Sequence, residues 1–231
     1  MSKRDGGASV TAYSTEGYVP EAVLNYLSLL GWSPGDNREV LDLAEIGALF
    51  DLKAINRRNA IFDLDKCFWI NGQHILRMSL ERFAELALPF VERAGIAYGS
   101  RDRLLPVLAI VKEKIKLLRD IPDWIHYFFT EEFAFDPASV EKTLRKPGAA
   151  SHLSALKQAY EILETWDVPA LEAQLKKTAT QIGCKTGDLI HPARVAASGR
   201  SIGPSLYHML EVLGKKRVLA RFERALQQVA V

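Results

Sequence analysis

Apolar residues recur at steps of three and four along almost all of this chain, and period-two alternation is nearly absent. That pattern predicts an all-α protein made of short helices in consecutive bundles. The stripe Leu104, Leu108, Val111, Ile115 and Leu118 is the clearest case. It predicts a helix that starts after Arg101, carries Pro106 in its first turn and ends near Leu118.

The punctuation supports other helices. Pro20 fits an early helical position before Glu21–Leu30, and Gly31 marks a stop. Asp42 with Glu45 three residues on resembles a capping box with Asp as the cap. A helix is expected from about Asp63 to Ile70, with Asn71-Gly72 as a break. Others follow over Ser79–Ala94, Ile121–Phe129, Ser151–Glu164, Val168–Ile182, Thr186–Ala196 (with a break possible at His191-Pro192), Ser205–Leu213 and Lys215–Gln228. Lys146-Pro147-Gly148 reads as a linker and Ser198-Gly-Arg-Ser-Ile-Gly-Pro as a loop.

Composition narrows the function classes. The 231 residues are 48% hydrophobic and 25% charged, ordinary for a globular chain. No apolar run approaches the roughly 20 residues of a membrane span. The charged, glycine-rich start lacks the apolar stretch of a signal peptide. Cys67 and Cys184 have no metal-ligand spacing and read as two free thiols. The five histidines show no paired spacing, so no metal site is expected. Trp32, Trp69, Trp124 and Trp166 read as core or interdomain packing.

The net charge of +2 conceals two basic stretches. Between Arg101 and Arg119, Arg101, Arg103, Lys112, Lys114, Lys116 and Arg119 face only Asp102 and Glu113. From Lys185 onward, Lys185, Arg194, Arg200, Lys215, Lys216, Arg217, Arg221 and Arg224 face Asp188, Glu211 and Glu223. Such clusters are either solvated surface or a face for a polyanion.

Ordered motifs favour the polyanion. Ser2-Lys3-Arg4-Asp5-Gly6 with Ser9-Val10, Gly17–Leu27 with Gly31-Trp32-Ser33, and Phe62-Asp63 with Trp69–Gly72 come first. Glu113-Lys114-Ile115-Lys116, Pro192–Gly199, Gly203-Pro204 and Leu213-Gly214-Lys215 follow. Together, over essentially the whole chain, they resemble the bacterial glutamyl-tRNA synthetase family from its ATP loop to its C-terminus. The resemblance implies three helical parts: a stem-contact region over 1–78, a first anticodon-binding bundle over 79–147 and a second over 148–231. It also implies that the catalytic nucleotide-binding fold lies outside these residues, so that the chain binds tRNA without activating glutamate and has no catalytic residue of its own.

Residue roles follow from the same resemblance. Ser2, Lys3 and Arg4 stand where the intact enzyme closes on ATP, which it uses with Mg; no cofactor is expected for this chain alone. Arg194, Gly203, Pro204 and Leu206 correspond to anticodon contacts: a guanidinium that stacks on and bonds a base, exposed backbone groups, and an apolar shelf. Lys114 stands near an arginine associated with the third anticodon base, and lysine lacks that planar fork. Lys112, Lys116, Arg200, Lys215, Lys216 and Arg217 are expected on phosphates. The expected partner is a glutamate-accepting tRNA, with neither DNA nor membrane, for a cytoplasmic monomer. A free-standing helical RNA-binding or synthetase-adaptor protein, and a helical protein-interaction module, are the competing readings.

Overall fold

A computed structural model describes residues 10–55 and 62–229. Among the described residues every regular element is helical, as the periodicity requires. The chain divides into two compact units, Met1–Ala97 with Lys112–Trp124, and Tyr98–Val111 with Ile125–Val231.

The first unit holds α1 (Val10–Glu16), α2 (Pro20–Leu29), α3 (Leu43–Leu49), α4 (Leu64–Arg77) and α5 (Leu80–Arg93). Pro20 opens α2, where its missing N–H has no intrahelical partner to lose. The capping box at α3 is complete: Asp42 Oδ1 accepts the Glu45 amide at 2.7 Å, and Glu45 Oε2 accepts the Asp42 amide at 2.9 Å. The helix α2 packs against α3 and α4, burying Ala22, Tyr26, Ile70 and Ile75. A smaller cluster joins Trp32, Leu41 and Ile46.

The expected break at Asn71-Gly72 is absent, and α4 passes straight through. Both residues serve the neighbouring chain instead. Asn71 is fully buried. Its Oδ1 accepts the Val19 amide at 2.8 Å and its Nδ2 donates to the Lys116 carbonyl at 2.6 Å. Gly72 leaves room for the Lys116 stem, whose Cδ lies 2.5 Å from where a Cβ would stand.

The stripe from Leu104 to Leu118 is buried throughout but is not one helix. The helix α6 (Arg101–Val111) ends early, and Pro106 sits in its interior rather than its first turn. The chain then tightens into short 3-10 turns at Lys112–Lys114 and Leu118–Asp120. Three bonds redirect it. Lys112 Nζ donates to the Met78 and Leu76 carbonyls just past and within the end of α4, and the Leu118 amide donates to Gly17 O at 2.9 Å.

After the short α7 (Ile121–Ile125), the second unit continues with α8 (Pro137–Ser139), α9 (Ala149–Glu161), α10 (Val168–Ile182), α11 (Gly187–Ser198), α12 (Leu206–Leu213) and α13 (Lys215–Val229). The helix α9 is central and packs on α10, α11 and α13. Its Leu153, Leu156 and Tyr160 face Leu171, Leu175, Leu189 and Phe222 in a core from which water is nearly absent. The helix α11 runs unbroken past Pro192. Trp32 is core and Trp166 donates to Leu210 O at 2.9 Å. Trp69 departs from the packing expectation: it is 45% exposed.

Candidate nucleic-acid interface

The second unit brings three of the expected base-contact residues together. Ala193, Ala196 and Ala197 of α11 are fully buried, because small side chains let this helix sit close to its neighbours. Arg194 points off that buried side and remains half-exposed. The helix stops at Gly199, which adopts φ +76, a left-handed conformation that glycine takes without a Cβ penalty. The loop 200–205 then folds back toward Arg194. The Arg194 Nη1 donates to the Pro204 carbonyl at 2.5 Å. A Cβ on Gly203 would lie 2.8 Å from the same nitrogen, so the guanidinium rests on the glycine.

Other bonds hold the loop from its far side. Ser198 Oγ donates to Arg194 O at 2.8 Å and accepts the Arg200 amide at 3.3 Å. The Ser201 amide donates to Ser139 Oγ at 3.1 Å, and Gly199 O accepts the Asp136 amide at 2.9 Å. Burial pushes the Arg194 guanidinium below its ordinary value, with nearby Tyr127 acting in the opposite direction. It stays cationic at neutral pH and keeps N–H donors beyond the one spent on Pro204.

Leu206 is not a shelf beside these groups, since only 3% of its surface is exposed and it packs into the core as the first residue of α12. The exposed apolar side chain here is Ile202, at 73%. The signal for it was present: a single isoleucine in an otherwise polar, glycine-containing loop. Replacing Gly203 with alanine is expected to push Arg194 off the Pro204 carbonyl and weaken RNA binding by about 1 kcal/mol. The melting temperature should scarcely move. A titration with tRNA and a thermal scan on the same sample check both statements.

The expected phosphate contacts divide by how they are engaged. Lys215 Nζ donates to Leu163 O at 2.7 Å, beyond the end of α9. Arg217 donates through Nη1 to Phe128 O at 2.7 Å and through Nε to Glu131 at 2.5 Å. Lys112 is turned onto carbonyls of its own chain and Lys116 lies over Gly72. Arg200 is half-buried. Lys114 and Lys216 are exposed, and among the described residues neither makes an ion pair or a side-chain hydrogen bond. Ser2, Lys3 and Arg4 lie outside the described residues. Among the described residues no group of three His, Cys, Asp or Glu could hold a metal ion, and no helix is long and apolar enough to cross a membrane.

Comparison with known proteins gives this geometry a context. Residues 82–226 match the family model of the anticodon binding domain. Residues 1–69 match that of class I tRNA synthetases (E and Q), catalytic domain. The glutamate–tRNA ligase of Moorella thermoacetica is 37% identical over 230 residues, covering 97% of this chain. The chain belongs to the anticodon binding domain family. The corresponding ligase of Methylacidiphilum infernorum is 40% identical over 223 residues, or 96% of the chain. A crystal structure of a glutamate–tRNA ligase from Elizabethkingia meningosepticum in complex with its amino acid superimposes with a TM-score of 0.86 at 26% identity, covering 99% of this chain and 48% of that one. The chain spans about half the length of the curated relatives it matches, 47% and 50% for the two ligases named. The Arg194–Pro204 pair falls inside the stretch matched to the anticodon-binding family.

Proposed function

We propose that this chain binds a glutamate-accepting tRNA and reads its anticodon with Arg194, Ile202, Gly203 and Pro204. The observation that carries the reading is the Arg194 guanidinium, fixed on the Pro204 carbonyl and resting on Gly203. A fixed guanidinium can stack on an unstacked base and bond its edge with little loss of freedom. Ile202 offers an apolar surface beside it, and the loop backbone offers groups for base edges. Lys114 and Lys216 are the cations freest to meet phosphates, which add affinity without sequence preference.

The three-part division into a stem-contact region over 1–78 and anticodon bundles over 79–147 and 148–231 belongs to this proposal. The compact units are cut differently, since 79–97 and 112–124 belong to the first of them. Attachment of glutamate to tRNA with ATP and Mg is the activity proposed for the longer protein of which this region is half. Within it, Ser2, Lys3 and Arg4 are the residues proposed to meet the ATP phosphates. A cytoplasmic monomer with no DNA or membrane partner completes the reading.

Arg194→Ala is expected to weaken binding of tRNA carrying a glutamate anticodon by about 1–3 kcal/mol. The loss should shrink for tRNAs with unrelated anticodons. A panel of tRNAs titrated against both proteins tests this: an equal loss for every tRNA would make Arg194 a phosphate contact or a loop staple only. Binding by the unaltered chain should also weaken steeply between about 50 and 200 mM salt.

A further inference from the structure

We propose that the cavity between the starts of α9 and α11 is a phosphate-binding site, and that the phosphate it takes is one of the RNA backbone next to the bases read at Arg194. The cavity measures about 410 Å³ and is lined by Lys142, Lys146, His152 and His191. Four basic side chains from three segments of the chain, 142–146, α9 and α11, thus line one space. Asp188 also lines it, but its Oδ2 accepts the Lys185 amide at 3.1 Å, so its carboxylate is engaged by the loop preceding α11.

The backbone has the matching polarity. Both helices begin here, and neither has a side-chain cap. Several first-turn amides already bond the preceding backbone, Ala149 to Lys146 O at 3.0 Å and Asp188 and Leu189 to Lys185 O and Thr186 O at 2.9 and 3.1 Å, so what the two helix starts offer an anion is the positive end of their dipoles. Anions settle at such ends. The two helices also repeat one spacing, Gly148 to His152 and Gly187 to His191. Residues four apart share a face, and each imidazole lies back over its own glycine. The His152 ring is 3.5 Å, and the His191 ring 3.9 Å, from where a Cβ would stand. Each histidine therefore stands beside its helix start, His152 half-buried and His191 open to solvent.

Size and position indicate the ligand. The volume is roughly that of a dozen waters, more than a phosphate alone needs and enough for a phosphate with its sugar. Gly187 and Arg194 are seven residues apart on α11, hence on the same face and about 10 Å apart along the axis. An unstacked strand covers that distance within a few nucleotides. The phosphate chemistry stands on the cavity alone; the assignment of its source to RNA rests on the anticodon reading.

The test has two arms. In the first, the histidine ring signals of the full 231-residue chain are followed by NMR as inorganic phosphate is added, with sodium chloride at matched ionic strength as the reference. Saturable shifts confined to His152 and His191, and lost in Lys142→Gln/Lys146→Gln, are expected. Shifts that chloride reproduces, or that the other three histidines share, overturn the site. In the second arm the same double variant, shown by thermal scan to be folded, is titrated with tRNA. Affinity should fall about 10-fold, and the slope of log K against log salt should become shallower by about 0.7, the value for one phosphate of a single strand. A phosphate response with unchanged tRNA affinity and slope overturns the RNA assignment and points to a free phosphorylated ligand. If the unaltered chain bound no tRNA, the anticodon reading would fail while the first arm still decided the site.

Discussion

Replacing Arg221 with alanine is expected to cost the second unit about 3–5 kcal/mol of stability, the range for removing one partner of a buried charged network. Arg221 lies on α13 with 2% of its surface exposed. Its Nη1 donates to Ala197 O at 2.6 Å, and its Nη2 donates to Tyr127 O at 2.7 Å and Thr130 O at 2.8 Å. The guanidinium also lies over the Phe133 ring, 4.6 Å from its centroid. Burial, assisted by the neighbouring Arg217, pushes its pKa down to about 10, against the attraction of Glu131. It remains charged at pH 7, so the folded unit holds a cation that three carbonyls and one carboxylate stabilise. Alanine takes their donor from the Ala197 and Tyr127 carbonyls where water scarcely reaches, and leaves Thr130 O only the long 3.5 Å bond from Arg217 Nη2. A midpoint shift of roughly 6–20 °C corresponds to that loss for a chain of this size. Arg221→Lys should recover only part of it, because an ammonium cannot span three carbonyls in a fixed fork. Urea denaturation followed by circular dichroism measures both variants. A loss under about 1 kcal/mol for alanine would mean that the carbonyls find other partners and that Arg221 is ordinary packing.

Arg221 also shows where the sequence stops being informative. It belongs to the basic C-terminal stretch, and nothing in the spacing separates it from Lys216, which faces solvent. The difference is made by Tyr127, Thr130 and Ala197, whose carbonyls converge only after folding. Lys112, Lys215 and Arg217 follow the same rule: each is drawn onto carbonyls 34 to 89 positions away. Charge counting locates basic segments, but tertiary hydrogen bonds decide which cations stay available. Local signals fared better, because their partners are close in sequence. The Asp42–Glu45 capping box and Pro20 at its helix start both act within a turn. Asn71-Gly72 carried a turn-like signal that long-range bonds to Val19 and Lys116 override. Of the expected base-contact set, the structure brings Arg194, Gly203 and Pro204 together around one hydrogen bond. Leu206 is buried instead, and the spacing could not show it, because a leucine at a helix start looks the same whether the core or the solvent receives it. Leu24, Leu27, Phe68 and Trp69 make the converse point: apolar periodicity predicts a face, and these four remain 39–48% exposed.

Gly199→Ala is expected to cost about 2–4 kcal/mol and to disturb the base-contact loop together with the fold. Two separate effects add. The left-handed backbone at φ +76 costs a non-glycine residue roughly 1–2 kcal/mol. The new Cβ would also stand 2.4 Å from Ala134 O and 3.1 Å from Phe133 Cδ2. Ala134 O is backbone, so it cannot rotate aside as a side-chain tip would. Either the 133–136 segment retreats, or the end of α11 shifts and carries Arg200 to Pro204 with it. Each movement strains the bond from the Asp136 amide to Gly199 O and the link between Ser201 and Ser139. Gly183 supplies the control. It ends α10 in the same left-handed region, at φ +70, and an added Cβ there meets nothing within 4 Å. Gly183→Ala should therefore show the backbone cost alone, roughly 1–2 kcal/mol, with tRNA affinity unchanged. Gly199→Ala should lose more stability and, at a temperature where it is still folded, bind tRNA about 10-fold more weakly, the equivalent of 1.4 kcal/mol. Equal stability losses at the two glycines would show that the contact with Ala134 relaxes at no cost. Unchanged tRNA affinity in folded Gly199→Ala would separate the loop from RNA recognition and leave Arg194 to act without it.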